Sequence, residues 1–118
     1  MAPYALLERT RLFSIAVSNF CRRLPKTSAQ EAARQLREAA NSARSNYRAA
    51  RKGRSRREFQ AKLQIAFEEA DEALDWLEYL RDMRIKHDPA LLQEAREVSS
   101  ILGKAVRTAR RNTDRGIS

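Results

Sequence analysis

The stretch ARSNYRAARKGRSRREF, residues 43–59, decides the fold. Ala43, Tyr47 and Ala50 fall at four- and three-residue steps, the spacing of one helix face, and Gly53 is a natural helix stop. Ser55 then stands three residues before Glu58, the capping-box spacing in which a hydroxyl and a carboxylate satisfy the orphan amides of a new helix. Only a few residues are left to join the two helices, so they lie side by side and antiparallel.

Working back from Ala50, the apolar stripe continues through Ala40, Ala39, Leu36, Ala33, Ala32 and Ala29 to a second capping-box spacing, Ser28 with Glu31. So many alanines imply a close approach of the neighbouring helix. Before it, Phe13, Val17, Phe20 and Leu24 recur at helical steps until Pro25, which predicts a first helix over about 5–24. Beyond the hairpin, Phe59, Leu63, Ala66, Phe67, Ala70, Leu74 and Leu77 predict a third helix running to about Arg84. Asp88-Pro89 is a start signal for a fourth, with a side-chain acceptor at the cap and a proline at the first helical position, where its missing amide costs nothing. This helix carries Leu91, Leu92, Ala95, Val98, Leu102, Ala105, Val106 and Ala109 on one face. Gly103 inside it costs about 1 kcal/mol relative to Ala unless it permits a close contact.

The apolar period is lost after residue 110. The expectation is therefore an all-α chain with an up-down-up-down four-helix bundle over 1–111 and a basic, disordered tail over 112–118. Leu36, Phe59, Phe67, Leu74 and Leu102 are expected to share its core.

Composition agrees. Of 118 residues, only three are Gly and three Pro, and 33% are charged, which disfavours a turn-rich β fold. The single cysteine, Cys21, forms no intramolecular disulfide, and no stretch is long and apolar enough for a membrane span or a secretory signal, so a soluble cytoplasmic protein is expected.

Catalytic constellations are missing. Helix three bears Glu68, Glu69, Asp71, Glu72, Asp75, Glu78 and Asp82, but a di-metal bundle needs inward carboxylates and Glu-x-x-His pairs, and the chain has neither such a pair nor a second histidine beside His87. Cys21 has arginines next to it in sequence but no histidine base, which favours a structural thiol. Three glycines at 53, 103 and 116 cannot build a phosphate loop or a dinucleotide-binding turn. The expectation is no enzyme activity, no cofactor and no metal.

The strong polar signal is electrostatic. The net charge is +9, and residues 1–57 hold 14 Lys/Arg against 3 acids while 58–118 hold 10 against 12. Arg44, Arg48, Arg51, Lys52, Arg54, Arg56 and Arg57 crowd the end of helix two and its turn. Such a cluster can contact nucleic-acid phosphates without reading sequence. Alternatively it is a solvated helix end, eased by the helix dipole and by pairing with the acids of helix three. The two readings differ in one observable: arginines clustered outward on one face, against arginines paired with helix-three carboxylates of the same or a neighbouring subunit.

Ile65, Trp76 and Tyr79 on helix three, and Leu12 and Ile15 on helix one, point away from the core stripes. One core cannot hold both sets, and a subunit interface is the economical explanation.

These residues resemble the bacterial four-helix-bundle family named from intervening sequences of large-subunit ribosomal RNA genes. The resemblance spans about residues 12 to 111. It rests on Phe20-Cys21-Arg22-Arg23-Leu24-Pro25, Gln35-Leu36-Arg37, Ser45-Asn46-Tyr47-Arg48-Ala49, Arg54-Ser55-Arg56-Arg57-Glu58-Phe59, Glu68-Glu69-Ala70-Asp71-Glu72 and Trp76-Leu77-Glu78. The chain is also similar to the accessory variability proteins of diversity-generating retroelements. What the resemblance implies is a homopentamer of bundles, with RNA or DNA and a reverse transcriptase or other protein as partners. Together with the charge, this gives the expectation of a non-enzymatic, homo-oligomeric accessory protein that binds nucleic acid through a basic surface. The alternative is a protein-interaction scaffold that binds none.

Overall fold

A computed structural model describes residues 3–116, with side chains over 5–116. Four helices, α1 (Pro3–Arg22), α2 (Gln30–Arg51), α3 (Arg56–Asp82) and α4 (Pro89–Asp114), form an up-down-up-down bundle, and no strand occurs among the described residues. Each helix packs on its two neighbours around the bundle, while α1 with α3 and α2 with α4 stand on diagonals with their backbones further apart. The molecule measures 50 × 22 × 21 Å.

The starts of α3 and α4 follow the sequence signals. Ser55 accepts from the Glu58 amide at 3.1 Å, and Asp88 accepts from the Leu91 amide at 3.0 Å with Pro89 at the first turn. The start of α2 differs. Ala29 occupies its cap with no side-chain bond, because the amide of Ala29 bonds back to the Pro25 carbonyl and its methyl is buried, which sets the helix frame past Ser28. Glu31 turns to Arg34 and Gln35 instead of completing a box.

Alanine decides the tightest seam. Ala32, Ala33, Ala39, Ala40 and Ala43 of α2 are buried, as are Ala66, Ala70 and Ala73 of α3, and this pair has the most extensive contact in the bundle. The core axis of α3 is therefore Leu63, Ala66, Ala70, Ala73, Leu77 and Leu80. Leu36 and Leu102 lie fully inside as expected, but Phe59, Phe67 and Leu74 sit on its flank and are only partly buried. Gly103 is buried where a Cβ would stand 3.0 Å from the Phe67 ring, so the glycine makes room for that aromatic.

The α1–α4 seam is the thinnest. Arg9 closes it with two bonds to Glu94, at 2.9 and 2.7 Å, and one to Glu97 at 2.7 Å. These hydrogen bonds raise the pKa of Arg9 further and hold the Glu97 carboxyl below its ordinary range.

α3 ends without a glycine. Arg84 adopts the left-handed conformation at φ 57°, its amide donates to the Arg81 carbonyl at 2.9 Å, and the Ile85 amide donates to the Leu80 carbonyl at 3.0 Å. This is a Schellman closure at a position that ordinarily takes glycine. A side chain there costs roughly 1–2 kcal/mol, part of which glycine's extra unfolded-state freedom cancels. Arg84→Gly should therefore stabilise the fold by about 1 kcal/mol in a urea titration; a loss of stability would show that the arginine side chain holds the turn.

α4 runs further than its apolar pattern. Helix continues to Asp114 because Gln60 of α3 bonds both the Ala109 carbonyl and the Thr113 hydroxyl. Residues 112–114, expected in the tail, are therefore helical, Arg115 and Gly116 form a turn, and Ile117 and Ser118 lie outside the described residues.

Candidate functional site

Antiparallel pairing turns a sequence asymmetry into a spatial one. Ser14–Asn41, Ser42–Glu69 and Ser99–Asp71 contacts mark a waist across the four helices. On one side of it, residues 3–13, 42–69 and 100–116 hold 15 Lys/Arg against 5 Asp/Glu; on the other, 14–41 and 70–99 hold 9 against 10. One end of the long axis is therefore strongly cationic and the other nearly neutral. The basic end contains the α2–α3 turn and the C-terminus of α4.

The seven predicted cations occupy that end and spread over two faces, with Arg51 at the boundary lining recesses on both. Arg44, Arg48, Arg51 and Lys52 line a groove of about 700 Å³ between α2 and α1, together with Leu7, Glu8 and Arg11. Arg56 and Arg57 project on the α3–α4 side, where Arg110 and Asn112 join them around smaller recesses, and Arg54 is exposed in the turn. Helical steps explain the first set: Arg44, Arg48 and Arg51 share one face of α2 and span about 10 Å along it.

Among the described residues none of the seven forms an ion pair. The carboxylates of α3 go elsewhere: Asp71 accepts from Ser99, Glu78 lies 3.8 Å from Arg96, and Asp82 binds Arg81. Glu69 faces Ser42, and burial followed by repulsion from Glu72 raises its pKa. Intrachain pairing between the basic cluster and the acidic helix is therefore not what the bundle builds.

Arg11 escaped the sequence reading. It lies far from Arg44 along the chain, and only the α1–α2 pairing brings it to the groove, where it bonds Glu8 at 2.8 Å in an exposed pair. Below it a polar recess continues along the same seam past Ser14, Asn19, Asn41 and Arg22, sharing Arg11 and Arg44 with the first.

The other candidates fall into place. Cys21 is buried, donates to the Ala33 carbonyl at 3.6 Å, and has its pKa raised by burial against the smaller opposing effect of Arg37, so it is an inert packing residue. Among the described residues no three His, Cys, Asp or Glu side chains gather as metal ligands, and no helix is long and apolar enough to cross a membrane. Leu12 and Ile15 on α1 are 51% and 44% exposed, and Ile65 and Tyr79 on α3 are 39% and 45%. Trp76 differs from the expectation: it is partly buried, packed against the core and set edge-on to Tyr79 with ring centroids 5.4 Å apart. Its ring is large enough to reach back across the flank of α3.

Comparison with known proteins places this architecture. A family model described as "23S rRNA-intervening sequence protein" matches residues 4–104. A crystal structure of a protein of unknown function from the S23 ribosomal protein family of Bacteroides thetaiotaomicron VPI-5482 superposes with a TM-score of 0.79 at 22% identity, covering 91% of this chain and 99% of that one. At that identity the likeness speaks to the fold. No curated protein matches the sequence.

Proposed function

From the premise that this chain belongs to the 23S rRNA-intervening sequence protein family, we propose that it is a non-enzymatic, cytoplasmic accessory protein that binds RNA or DNA phosphates through its basic end. The observation that carries this reading is the absence, among the described residues, of any carboxylate bonded to the seven cations between Arg44 and Arg57. Unpaired cations gathered at one end of a molecule cost self-repulsion and add nothing to the core, whereas phosphates would neutralise them. The scaffold alternative called for those arginines to be bonded to α3 carboxylates of the same or a neighbouring subunit, and within one chain they are not.

The proposal includes self-association. Leu12 and Ile15 face outward from α1, and Ile65 and Tyr79 from α3, which is the diagonally opposite corner of the bundle. Two different apolar patches on opposite sides suit a heterologous, front-to-back contact, and such contacts close into rings when the rotation allows. A pentameric ring, as the resemblance implies, would repeat the basic end in every subunit and add weak contacts through multivalency.

Two measurements test these readings. Binding of the wild-type protein to mixed-sequence RNA and DNA should be strong at low salt, fall steeply as salt rises, and depend little on sequence; no binding at low salt would replace this function with the scaffold reading. Multi-angle light scattering should show an oligomer, and Ile65→Ser with Tyr79→Ser should shift it toward monomer; a wild-type monomer at micromolar concentration removes the ring. The pair is chosen over Trp76, whose loss would disturb the core as well.

A further inference from the structure

Resting on the nucleic-acid reading above, we infer that the ligand is a single strand, and that its phosphates lie in the α1–α2 groove, held by Arg11 from one wall and by Arg44, Arg48 and Arg51 from the other. The basic end as a whole does not demand this, since Arg56 and Arg57 offer a second cationic face.

Shape separates the two faces. The α1–α2 groove is about 700 Å³ and lies along the seam between two packed helices, with Leu7 in its lining and cations on both sides. The recesses beside Arg56 and Arg57 are smaller, at about 420 and 260 Å³. A groove flanked by cations follows a flexible backbone that can bend into it, which is how sequence-tolerant single-strand sites are built. A duplex is stiff over about 50 nm and convex, so its phosphates would meet the rim of the groove and leave its walls unused.

Arrangement points the same way. The three α2 arginines rise along one helix face over about 10 Å, a linear track rather than a cup for one compact anion. Toward the waist the track passes through Arg11 and Arg44 into the recess of Ser18, Asn19 and Asn41, groups suited to sugar hydroxyls and phosphate oxygens. Among the described residues no aromatic ring lines either recess, so the site offers no platform for base stacking and no base preference follows from it.

Glu8 makes the inference testable by a gain. Among the described residues it is the one carboxylate in the groove lining, and it holds part of the Arg11 guanidinium. Both side chains are more than half exposed, so an exposed pair at this spacing contributes little to stability and its loss leaves the fold intact. Glu8→Gln removes a repulsion and frees Arg11 for phosphate.

The experiment uses the full-length protein, a fluorescent oligouridine about a dozen nucleotides long, and an RNA duplex of the same length as competitor. Glu8→Gln should tighten oligouridine binding about two- to fivefold and Arg11→Gln should weaken it by a similar factor, the scale of one exposed charge pair. Lys26→Gln, exposed at the near-neutral end of the bundle, should leave it unchanged, and the duplex should compete at least about tenfold less well. Circular dichroism checks that each variant folds as wild type. If Glu8→Gln and Arg11→Gln bind as wild type while loss of turn cations weakens binding, the groove is wrong and the basic-end reading stands. Equal competition by the duplex overturns the single-strand assignment. Absence of binding by the wild-type protein to either nucleic acid overturns both readings together.

Discussion

Leu102→Ala should destabilise the protein by about 3 to 5 kcal/mol, whereas Leu74→Ala should cost about 1 to 2. Leu102 has no exposed surface and faces the bundle interior from α4, among residues such as Leu36, Leu63 and Leu80 that are buried to the same degree. Deleting its isobutyl group loses the transfer free energy of the removed carbons and leaves a cavity that four helices cannot collapse around. Leu74 lies on the flank of α3 and already keeps part of its side chain in water, so its truncation opens a notch rather than a void. A domain of this size has only about 5 to 15 kcal/mol to lose, so the first variant should approach unfolding at modest urea concentrations. Both should be compared at one protein concentration, because self-association would add a mass-action term to every midpoint. Equal losses at the two positions would displace the core axis drawn through Ala73 and Leu77.

That axis shows where sequence reasoning held and where it slipped. Caps made by a specific side chain were legible: Ser55 and Asp88 each accept the amide that their spacing announces. Size misled within α3. Leu74 attracts notice and Ala73 does not, yet over a helix of 27 residues the buried line passes through the smaller residue, on the helix that packs most extensively against α2. The end of that helix was also hidden, since nothing about Arg84 in sequence announces a left-handed residue. Helix α4 outran its apolar pattern because the bonds that extend it come from Gln60, a polar residue of α3.

The candidate site was half legible for a related reason. Arg44, Arg48, Arg51 and Lys52 are near one another in the chain, and helical spacing alone gathers them on one stretch of surface. Arg11 and Glu8 reach the same groove only through the antiparallel register of α1 on α2, which no local pattern encodes. The same holds for Arg9, whose bonds to Glu94 and Glu97 join the first helix to the last. The carboxylates of α3 were the reverse case: a plausible partner by composition, they turn out to bond or face Ser99, Arg96, Arg81 and Ser42.

Replacing Arg51, Lys52, Arg54 and Arg56 together by Gln should weaken binding to RNA and to DNA by about ten- to a hundredfold, the product of four modest exposed contacts. The four positions belong to both faces of the basic end, so the variant interrogates the charge of that end rather than one groove. Glutamine keeps most of the side-chain length and its hydrogen-bonding capacity, and therefore a loss reports charge. None of the four takes part in an ion pair among the described residues, so thermal stability and oligomer size should stay close to wild type. The sharper readout is the salt dependence. Each phosphate neutralised releases condensed counterions and adds about −0.7 to −0.9 to the slope of log K against log salt, so losing up to four contacts per strand should flatten it by up to about 3 units. A bound partner that recognises shape or apolar surface would leave that slope shallow in the wild type and unchanged in the variant. A quadruple variant that binds as tightly as wild type, with the same slope, would mean that the cations at this end do not hold phosphate, and the apolar patches on α1 and α3 would then carry the protein's function as a scaffold.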